Sequence, residues 1–259
     1  MIRHGLIIAG FDPSAGAGLL MDIKVFSAIG VYAFAVPTAI VEENTDTVKR
    51  SIPIIPSVFE GQLRILLEYT HVDGVKIGML SNSTIVEIIQ KAVHKYKMHN
   101  IVLDPVLASS SGKPLFRGNI KEAFQKLMPL CNIITPNIPE ASLISGIQIL
   151  SKEDMILSAR YFINNGANAV VIKGGHFVKK GLDLYMDQEQ HVFLDAKPVN
   201  KDVHGTGCIF SSAISAYMIK GYKSLEAVKK AKTFTYNMIK KSIILSPRLK
   251  RYVGTPLIK

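Results

Sequence analysis

The five residues HGTGC, at positions 204–208, have a composition that could bind a phosphate group. Gly205 and Gly207 flank a threonine although glycine weakens helices and strands, so a steric or conformational need must outweigh propensity. A long apolar segment with helical periodicity follows Cys208. Backbone N–H groups in a glycine turn at a helix N-terminus attract anions. The motif therefore predicts a phosphate site, and the alternative is a glycine turn before an ordinary helix.

Two common nucleotide-binding motifs are missing from the sequence. No stretch reads GxxxxGKS or GxxxxGKT, which excludes a P-loop, and the glycines at 16 and 18 do not complete GxGxxG. The phosphate prediction therefore depends on HGTGC.

Polar residues recur immediately after segments that read as strands. In chain order they are Asp12, Glu43, Asn44, Asp104, Asn137, Glu140 and Lys173. Ligands of parallel α/β sheets bind beyond the carboxyl ends of the strands, so this recurrence predicts a cleft there. Taken singly, Asp104 before Pro105 could be a turn residue, and Asn137 could be the N-cap of the next helix.

Short β-branched runs alternate with amphipathic helical segments along the chain. The strand candidates are residues 5–12, 38–41, 73–80, 100–107, 132–136 and 168–173. The helix candidates are residues 17–30 and 82–97, a helix opened by Ser151 with Asp154 in a capping box, and two helices after Gly205 and Ser224. This alternation predicts a mainly parallel sheet with helices on both faces. Residues 183–187 and 191–195 predict an antiparallel hairpin on that sheet.

Composition narrows the function classes. Hydrophobic residues make up 48% and charged residues 20% of the 259 positions, the balance of an ordinary globular protein. Cys131 and Cys208 form no CxxC pair, so neither a zinc site nor a disulfide framework is predicted, and a reducing cytoplasm is expected. No segment reads as a targeting sequence or a membrane span.

The net charge of +11 is concentrated near the C-terminus. Residues 220–259 hold eleven Lys and Arg against the single acid Glu226. A basic face could bind nucleic acid, but the aromatic interleaving and the reading module that such binding needs are missing. A solvated helix face near a polyanionic small molecule is therefore preferred, and no nucleic-acid partner is predicted.

Six motifs together resemble a known enzyme family. In chain order they are AGFDPSAGAGLLMDIK, VKIGML, VLDPVL, ITPNIPEA, VIKGGH and HGTGC. From about residue 5 to about residue 240 the chain resembles the hydroxymethylpyrimidine and phosphomethylpyrimidine kinases of thiamine biosynthesis, which belong to the ribokinase-like superfamily. The resemblance implies one ribokinase-like domain over residues 1–259, a three-layer α/β sandwich with a mostly parallel central sheet, and a homodimer.

The resemblance also implies an activity and its residues. The expected reaction is ATP-dependent phosphorylation of 4-amino-5-hydroxymethyl-2-methylpyrimidine and of its monophosphate, with Mg²⁺. The amides of Gly205, Thr206, Gly207 and Cys208 would hold the transferring phosphoryl group. The residues that match nucleotide-binding positions are Asp104, Asn137 and Lys173. Those that match Mg²⁺ positions, often through water, are Asp104 and Glu140.

Cys208 occupies the position where most ribokinase-like sugar kinases have an aspartate base, and the pyrimidine kinases also use cysteine there. A helix N-terminus lowers a thiol pKa, so Cys208 is predicted to be the base that accepts the proton of the alcohol. The alternative is a small side chain that fits a tight helix start.

The resemblance builds the acceptor pocket from Gly10, Asp22, Glu43 and Met79 beside Cys208. Met79 could instead be a core methionine, and Asp22 could be exposed on its helix. Glu43 departs from the family, because EENT replaces the usual QNT. Glutamine donates and accepts hydrogen bonds, whereas an ionised carboxylate only accepts.

The Glu43 departure leaves the acceptor open. An aminopyrimidine alcohol kinase is the first interpretation, a pyridoxine or pyridoxal kinase the second, and a non-catalytic protein that binds a ligand or nucleic acid the third. The joint presence of GTGC, Asp104, Asn137 and Glu140 disfavours the third.

Overall fold

The computed structural model describes residues 2–109, 112–175, 182–195 and 199–255. His176, the last residue of the VIKGGH motif, lies outside them. Within the described residues, strands and helices alternate along most of the chain. No described helix is both long enough and apolar enough to cross a membrane.

The strands of the described residues include very short ones. They are β1 (Arg3–Phe11), β2 (Val31–Glu43), β3 (Val48–Pro53), β4 (Gly74–Ile77), β5 (Ile101–Leu103), β6 (Ile133–Ile134), β7 (Ala169–Ile172), β8 (Asp183–Asp187), β9 (His191–Leu194), β10 (Val203–His204) and β11 (Tyr252–Val253).

The described α-helices fall between these strands. They are α1 (Gly18–Ile29), α2 (Pro56–Tyr69), α3 (Ser83–Lys95), α4 (Ile120–Leu127), α5 (Ile138–Ser145), α6 (Lys152–Asn164), α7 (Thr206–Ile219) and α8 (Ser224–Lys240). A single 3-10 turn, Met128–Leu130, follows α4.

Nine strands form one sheet in the order β3-β2-β1-β4-β5-β6-β7-β8-β9. Six neighbouring strands run parallel, namely β2, β1, β4, β5, β6 and β7. Strand β3 at one edge, and β8 and β9 at the other, add antiparallel pairs. The predicted hairpin is confirmed as β8 and β9, where Asp183 pairs with Leu194. Parallel strands put their carboxyl ends at one edge, so the polar residues that follow them share that edge.

Helices cover both faces of the sheet. Successive β1 residues alternate between two apolar cores: Leu6 and Ile8 pack with α2 to α6, and Ile7 and Ala9 pack with α1, α7 and α8. A strand buried on both faces reads as a continuous apolar run, which β1 does. The predicted ribokinase-like α/β sandwich is confirmed, and a single domain over residues 1–259 stays a prediction.

Several boundaries differ from the expectation. Strand β5 ends at Leu103, well short of residue 107, because Pro105 cannot donate to a ladder. Strand β2 is much longer than residues 38–41, and the sequence reading missed β3, α2 and α4. The helix opened by Ser151 is confirmed, with its capping box to Asp154.

The C-terminal segment joins two parts of the molecule. Strand β11 pairs with β10, which immediately precedes the GTGC residues. Asp46, in the turn between β2 and β3, accepts hydrogen bonds from the N–H groups of Lys250 (2.8 Å) and Arg251 (2.9 Å). The segment therefore connects the β2–β3 hairpin to the approach of α7.

Candidate active site

The GTGC residues form the N-terminus of α7, as predicted. Gly205 is the N-cap residue in the left-handed region, with φ of 78°. A Cβ atom there would overlap the carbonyl oxygen of Gly16, so the loop after β1 packs directly against this turn. No side chain caps the helix. The N–H groups of the first turn therefore have no intrahelical partner and favour an anion.

Asp104 and Lys173 meet at this helix end. Lys173 Nζ lies 2.7 Å from Asp104 Oδ1, and Ser211 Oγ, one turn into α7, donates to Asp104 Oδ2 over 3.0 Å. A Cβ atom on Gly207 would lie 3.2 Å from Lys173 Nζ. Burial alone would raise the pKa of Asp104, but Lys173 and the other donors lower it. The structure thus brings the Lys173 ammonium group, paired with Asp104, to the predicted phosphate site at residues 205–208, which is called the phosphate cradle below.

Asn137 and Glu140 form a capping box at the start of α5. Asn137 Oδ1 accepts from the N–H of Glu140 over 2.9 Å, and Glu140 Oε2 accepts from the N–H of Asn137 over 2.7 Å. Burial raises the pKa of Glu140 to about 7, although Lys173 opposes the rise. The N-cap alternative for Asn137 is therefore present in the structure. Nucleotide binding by Asn137 and Mg²⁺ binding by Glu140 stay predictions.

Of the four residues predicted for the acceptor pocket, the structure places Gly10 beside Met79, and pocket roles for Gly10, Glu43 and Met79 stay predictions. Gly10 lies against Met79, because a Cβ atom on Gly10 would come 2.8 Å from Met79 Sδ. Met79 packs in a small apolar cluster, which is the core alternative, and its carbonyl accepts from Thr38 over 2.7 Å. Glu43 ends β2 and is half-buried. No donor among the described residues contacts its carboxyl group.

The prediction that Asp22 lines the pocket is not supported by its environment. Its side chain has no exposed surface, and both carboxylate oxygens accept from protein donors: Oδ2 from Lys76 Nζ and Oδ1 from Ser212 Oγ, each over 2.6 Å. Asp22 is therefore an interior carboxylate, whose burial is tolerated because both of its oxygens accept hydrogen bonds from protein donors.

The thiol of Cys208 is not activated in the way that the sequence predicted. Loss of hydration raises the pKa of Cys208 to about 12, although Lys76 and the N–H of Gly18 oppose the rise. The expectation of a lowered pKa is therefore wrong, because burial outweighs the helix N-terminus. A role as base stays a prediction.

The sequence placed Asp12 at a strand end in the predicted cleft, but it did not predict the contact of Asp12 with His204, the first residue of HGTGC. His204 Nε2 lies 3.1 Å from Asp12 Oδ2, and both residues are buried. Together with Glu43 they form a group of potential ligand atoms within 4.8 Å of one another. Asp12 follows a strand and His204 starts HGTGC, but 192 positions separate them, and nothing local links them.

The pKa values of the two carboxyl groups in this cluster, Asp12 and Glu43, shift in opposite directions. Burial raises the pKa of Glu43 to about 8, and the Asp12 carboxylate adds to the rise. For Asp12, burial acts in the same direction, but hydrogen bonds from His204 and Ser14 outweigh it and lower the pKa. At neutral pH, Asp12 is therefore ionised and Glu43 carries a proton.

Comparison with known proteins identifies the family of the chain. A family model described as phosphomethylpyrimidine kinase matches residues 12–251. The hydroxymethylpyrimidine/phosphomethylpyrimidine kinase of Aquifex aeolicus is 40% identical over 245 residues, which cover 92% of this chain and 94% of that protein.

Two solved structures have the same fold over nearly the whole chain. The pyridoxal kinase of Bacillus subtilis, in an ADP complex, has a TM-score of 0.88 at 32% identity, covering 98% of both chains. The phosphomethylpyrimidine kinase of Clostridium difficile has a TM-score of 0.80 at 36% identity, covering 91% of this chain and 98% of that one. The chain therefore belongs to the phosphomethylpyrimidine kinase family.

Proposed function

We propose that the protein transfers the γ-phosphoryl group of ATP to 4-amino-5-hydroxymethyl-2-methylpyrimidine, and then a second phosphoryl group to the monophosphate, in thiamine biosynthesis. Family membership makes the chain a phosphotransferase. The alcohol oxygen bonds to the γ-phosphorus, the bond from that phosphorus to the β-phosphate oxygen breaks, and ADP leaves with the electron pair. The hydroxyl proton passes to a base, for which we propose the thiolate of Cys208.

The main support for this proposal is that the ammonium group of Lys173 lies beside the N-terminus of α7. Phosphoryl transfer needs positioning and charge neutralisation more than covalent chemistry. The first-turn amides and the Lys173 ammonium supply donors and positive charge at one point, where a side chain on Gly207 would intrude. That point suits a group whose negative charge spreads over three oxygens.

Mg²⁺ fits the proposed site through water and nucleotide rather than through a protein cage. Both oxygens of Asp104 already accept hydrogen bonds, and one oxygen of Glu140 is used in the capping box. Mg²⁺ keeps several waters and takes one or two carboxylates plus phosphates. Bound with ATP, the ion would neutralise phosphate charge, and Asp104 and Glu140 would hold its hydration shell.

A second acceptor class has a specific observation in its favour. The structure superimposes on a pyridoxal kinase over 98% of both chains, and Glu43 replaces the glutamine expected for pyrimidine binding. Mass spectrometry of products from MgATP with the aminopyrimidine alcohol or with pyridoxal separates the two. We expect mono- and diphosphate esters of the pyrimidine. Phosphorylation of pyridoxal alone would contradict the proposed acceptor.

A variant at the cradle tests the site itself. Gly207→Leu places a branched side chain against Lys173 Nζ and should lower kcat by at least about 100-fold, the effect of losing one oxyanion donor. Gly61→Ala is the matched control, because a Cβ atom on Gly61 would have no neighbour within 4 Å. Equal turnover in the two variants would place phosphoryl transfer elsewhere.

We also propose a cytoplasmic homodimer. Ile40 and Ile52 face each other across β2 and β3 and are 50% and 44% exposed, which leaves an apolar strip at the sheet edge. Light scattering on the protein and on Ile40→Lys tests the dimer. A monomeric parent protein would contradict it.

A further inference from the structure

Lys76 is a charged residue in the middle of the nine-stranded sheet. It lies in β4, between β1 and β5, and its side chain has no exposed surface. Both oxygens of its partner Asp22 accept hydrogen bonds, which fits an ionised carboxylate beside an ammonium group. Burial alone would lower the pKa of Lys76, but Asp22, Cys208 and Asp104 raise it to about 12. Burial raises the pKa of Asp22, and Lys76 opposes that rise.

Stability does not explain why this pair is present. A central parallel strand is ordinarily filled with branched apolar residues. Apolar residues of similar volume often replace a buried ion pair with no loss, or even a gain, in the free energy of unfolding. The pair therefore needs an explanation from its position.

The ammonium group of Lys76 lies toward the reacting end of the sheet. A Cβ atom on Gly78, the residue after β4, would come 2.6 Å from Lys76 Nζ. Ser212, which shares Asp22 with Lys76, lies one helical turn after Cys208 on α7. The pair thus ties β4 and α1 to the part of α7 that carries the thiol.

Charged groups from four elements act on Cys208. They are Lys76 on β4, Asp22 on α1, Asp104 after β5 and Lys173 after β7. Lys76 and Lys173 favour the thiolate. The two carboxylates act in the opposite direction.

We infer that Lys76, held in place by Asp22 and Ser212, is a positioning residue whose buried ammonium group stabilises negative charge on Cys208 Sγ during phosphoryl transfer. The inference rests on the proposed function. The thiolate accepts the proton of the acceptor hydroxyl as the new oxygen–phosphorus bond forms, and ADP leaves with the electrons of the broken bond. Lys76 itself neither gives up nor takes up a proton.

Alkylation of Cys208 measures this effect without any kinase assay. The chain has two cysteines, so Cys131→Ala leaves Cys208 as the single thiol. Iodoacetamide reacts with the thiolate, so the dependence of the alkylation rate on pH reports how readily Cys208 ionises. Cys208 is partly exposed, so the reagent can reach it. In this background, Lys76→Met should slow alkylation at pH 8 about tenfold or more, equivalent to one pKa unit.

Replacement of Asp22, the partner of Lys76, should change the alkylation rate of Cys208 in the opposite direction. Asp22→Asn keeps an acceptor for Ser212 but removes a negative charge near the thiol, so alkylation should become faster. A purely structural pair would make both variants change in the same direction, or neither, and either result would overturn the inference. If Lys76→Met does not fold, Asp22→Asn alone and the double variant Lys76→Met/Asp22→Asn carry the test. The double variant, which has no unpaired charge, should react more slowly than Asp22→Asn.

Kinetics link the electrostatic effect to catalysis. Lys76→Met should lower kcat about tenfold with a smaller change in the KM for ATP, because its proposed effect is on Cys208 rather than on nucleotide binding. Normal kcat with slow alkylation would overturn the catalytic part. If the Cys131→Ala parent phosphorylates no alcohol, the proposed function fails, whereas the alkylation result still tests the charge on Cys208.

Discussion

The phosphate side and the acceptor side of the site are built differently. On the phosphate side, each charged group has a protein partner: Lys173 pairs with Asp104, and Glu140 is held by the backbone. On the acceptor side, Glu43 has no donor among the described residues and carries a raised pKa. The charged groups of the first side are held by protein hydrogen bonds, the kind of preorganisation that electrostatic stabilisation of a transition state requires. The second keeps a carboxyl group that has no protein donor among the described residues, and acceptor binding by Glu43 stays a prediction.

The largest expected effect comes from the thiol of Cys208. Cys208→Ala should lower kcat by about 10²–10⁴-fold, the range for general acid–base catalysis, while ATP affinity stays nearly constant. Steady-state kinetics and calorimetric titration with ATP measure the two quantities. Cys131→Ala, a buried thiol on the other face of the sheet, is the matched control. Turnover equal to that of the control would leave the small-side-chain alternative for Cys208.

On the phosphate side we expect a smaller fall in kcat, together with a loss of stability. Lys173→Met removes the cation at the cradle and leaves Asp104 buried with hydroxyl partners only. We expect kcat to fall about 100-fold and the free energy of unfolding to fall by about 3 kcal/mol, because an unpaired buried charge remains. Kinetics and urea unfolding check both. Lys229→Met, at an exposed position on α8, is the control and should change neither.

The smallest expected effect is on the KM for the acceptor alcohol, which should depend on pH through Glu43. The raised pKa of Glu43, about 8, keeps the carboxyl group protonated below that pH, so it donates one hydrogen bond and accepts another, as glutamine does. Above pH 8 the donor is lost. The KM for the aminopyrimidine alcohol should then rise, by up to about tenfold per pH unit, and stay flat in Glu43→Gln.

The opposite pH response would reverse the interpretation of Glu43. A KM that falls above pH 8 means that the carboxylate, rather than the acid, binds the acceptor. A KM that is identical in the parent protein and in Glu43→Gln at every pH means that Glu43 does not contact the ring.

The sequence predicts the phosphate side better than the acceptor side for a physical reason. GTGC is a local signal, because a glycine turn and a helix start are specified by neighbouring residues, and α7 begins there. The strand-end position of Asp104 is likewise local. By contrast, the contact of Asp12 with His204, and that of Asp22 with Lys76, joins residues far apart in the chain. Residue types alone do not specify such contacts.

The thiol of Cys208 shows a second limit of sequence reasoning. The helix N-terminus was visible in the sequence, and its effect on a thiol pKa has a known sign. The amount of water removed by packing against the loop after β1 was not visible, and burial determines the result. Strand β3 was missed for a related reason: VKRSIP has only one buried residue in six, so no apolar pattern marks it.

The clasp between Asp46 and the N–H groups of Lys250 and Arg251 has a consequence for protein synthesis. A chain that emerges from the ribosome N-terminus first exposes the β2–β3 hairpin about 200 residues before its anchor exists. The strands of the central sheet can assemble during elongation, but the hairpin gains its anchor, and β10 its partner strand, only when residue 253 has been released from the exit tunnel. A prematurely terminated product would therefore lack both the anchor of the hairpin and the strand that pairs with β10, directly before the GTGC residues.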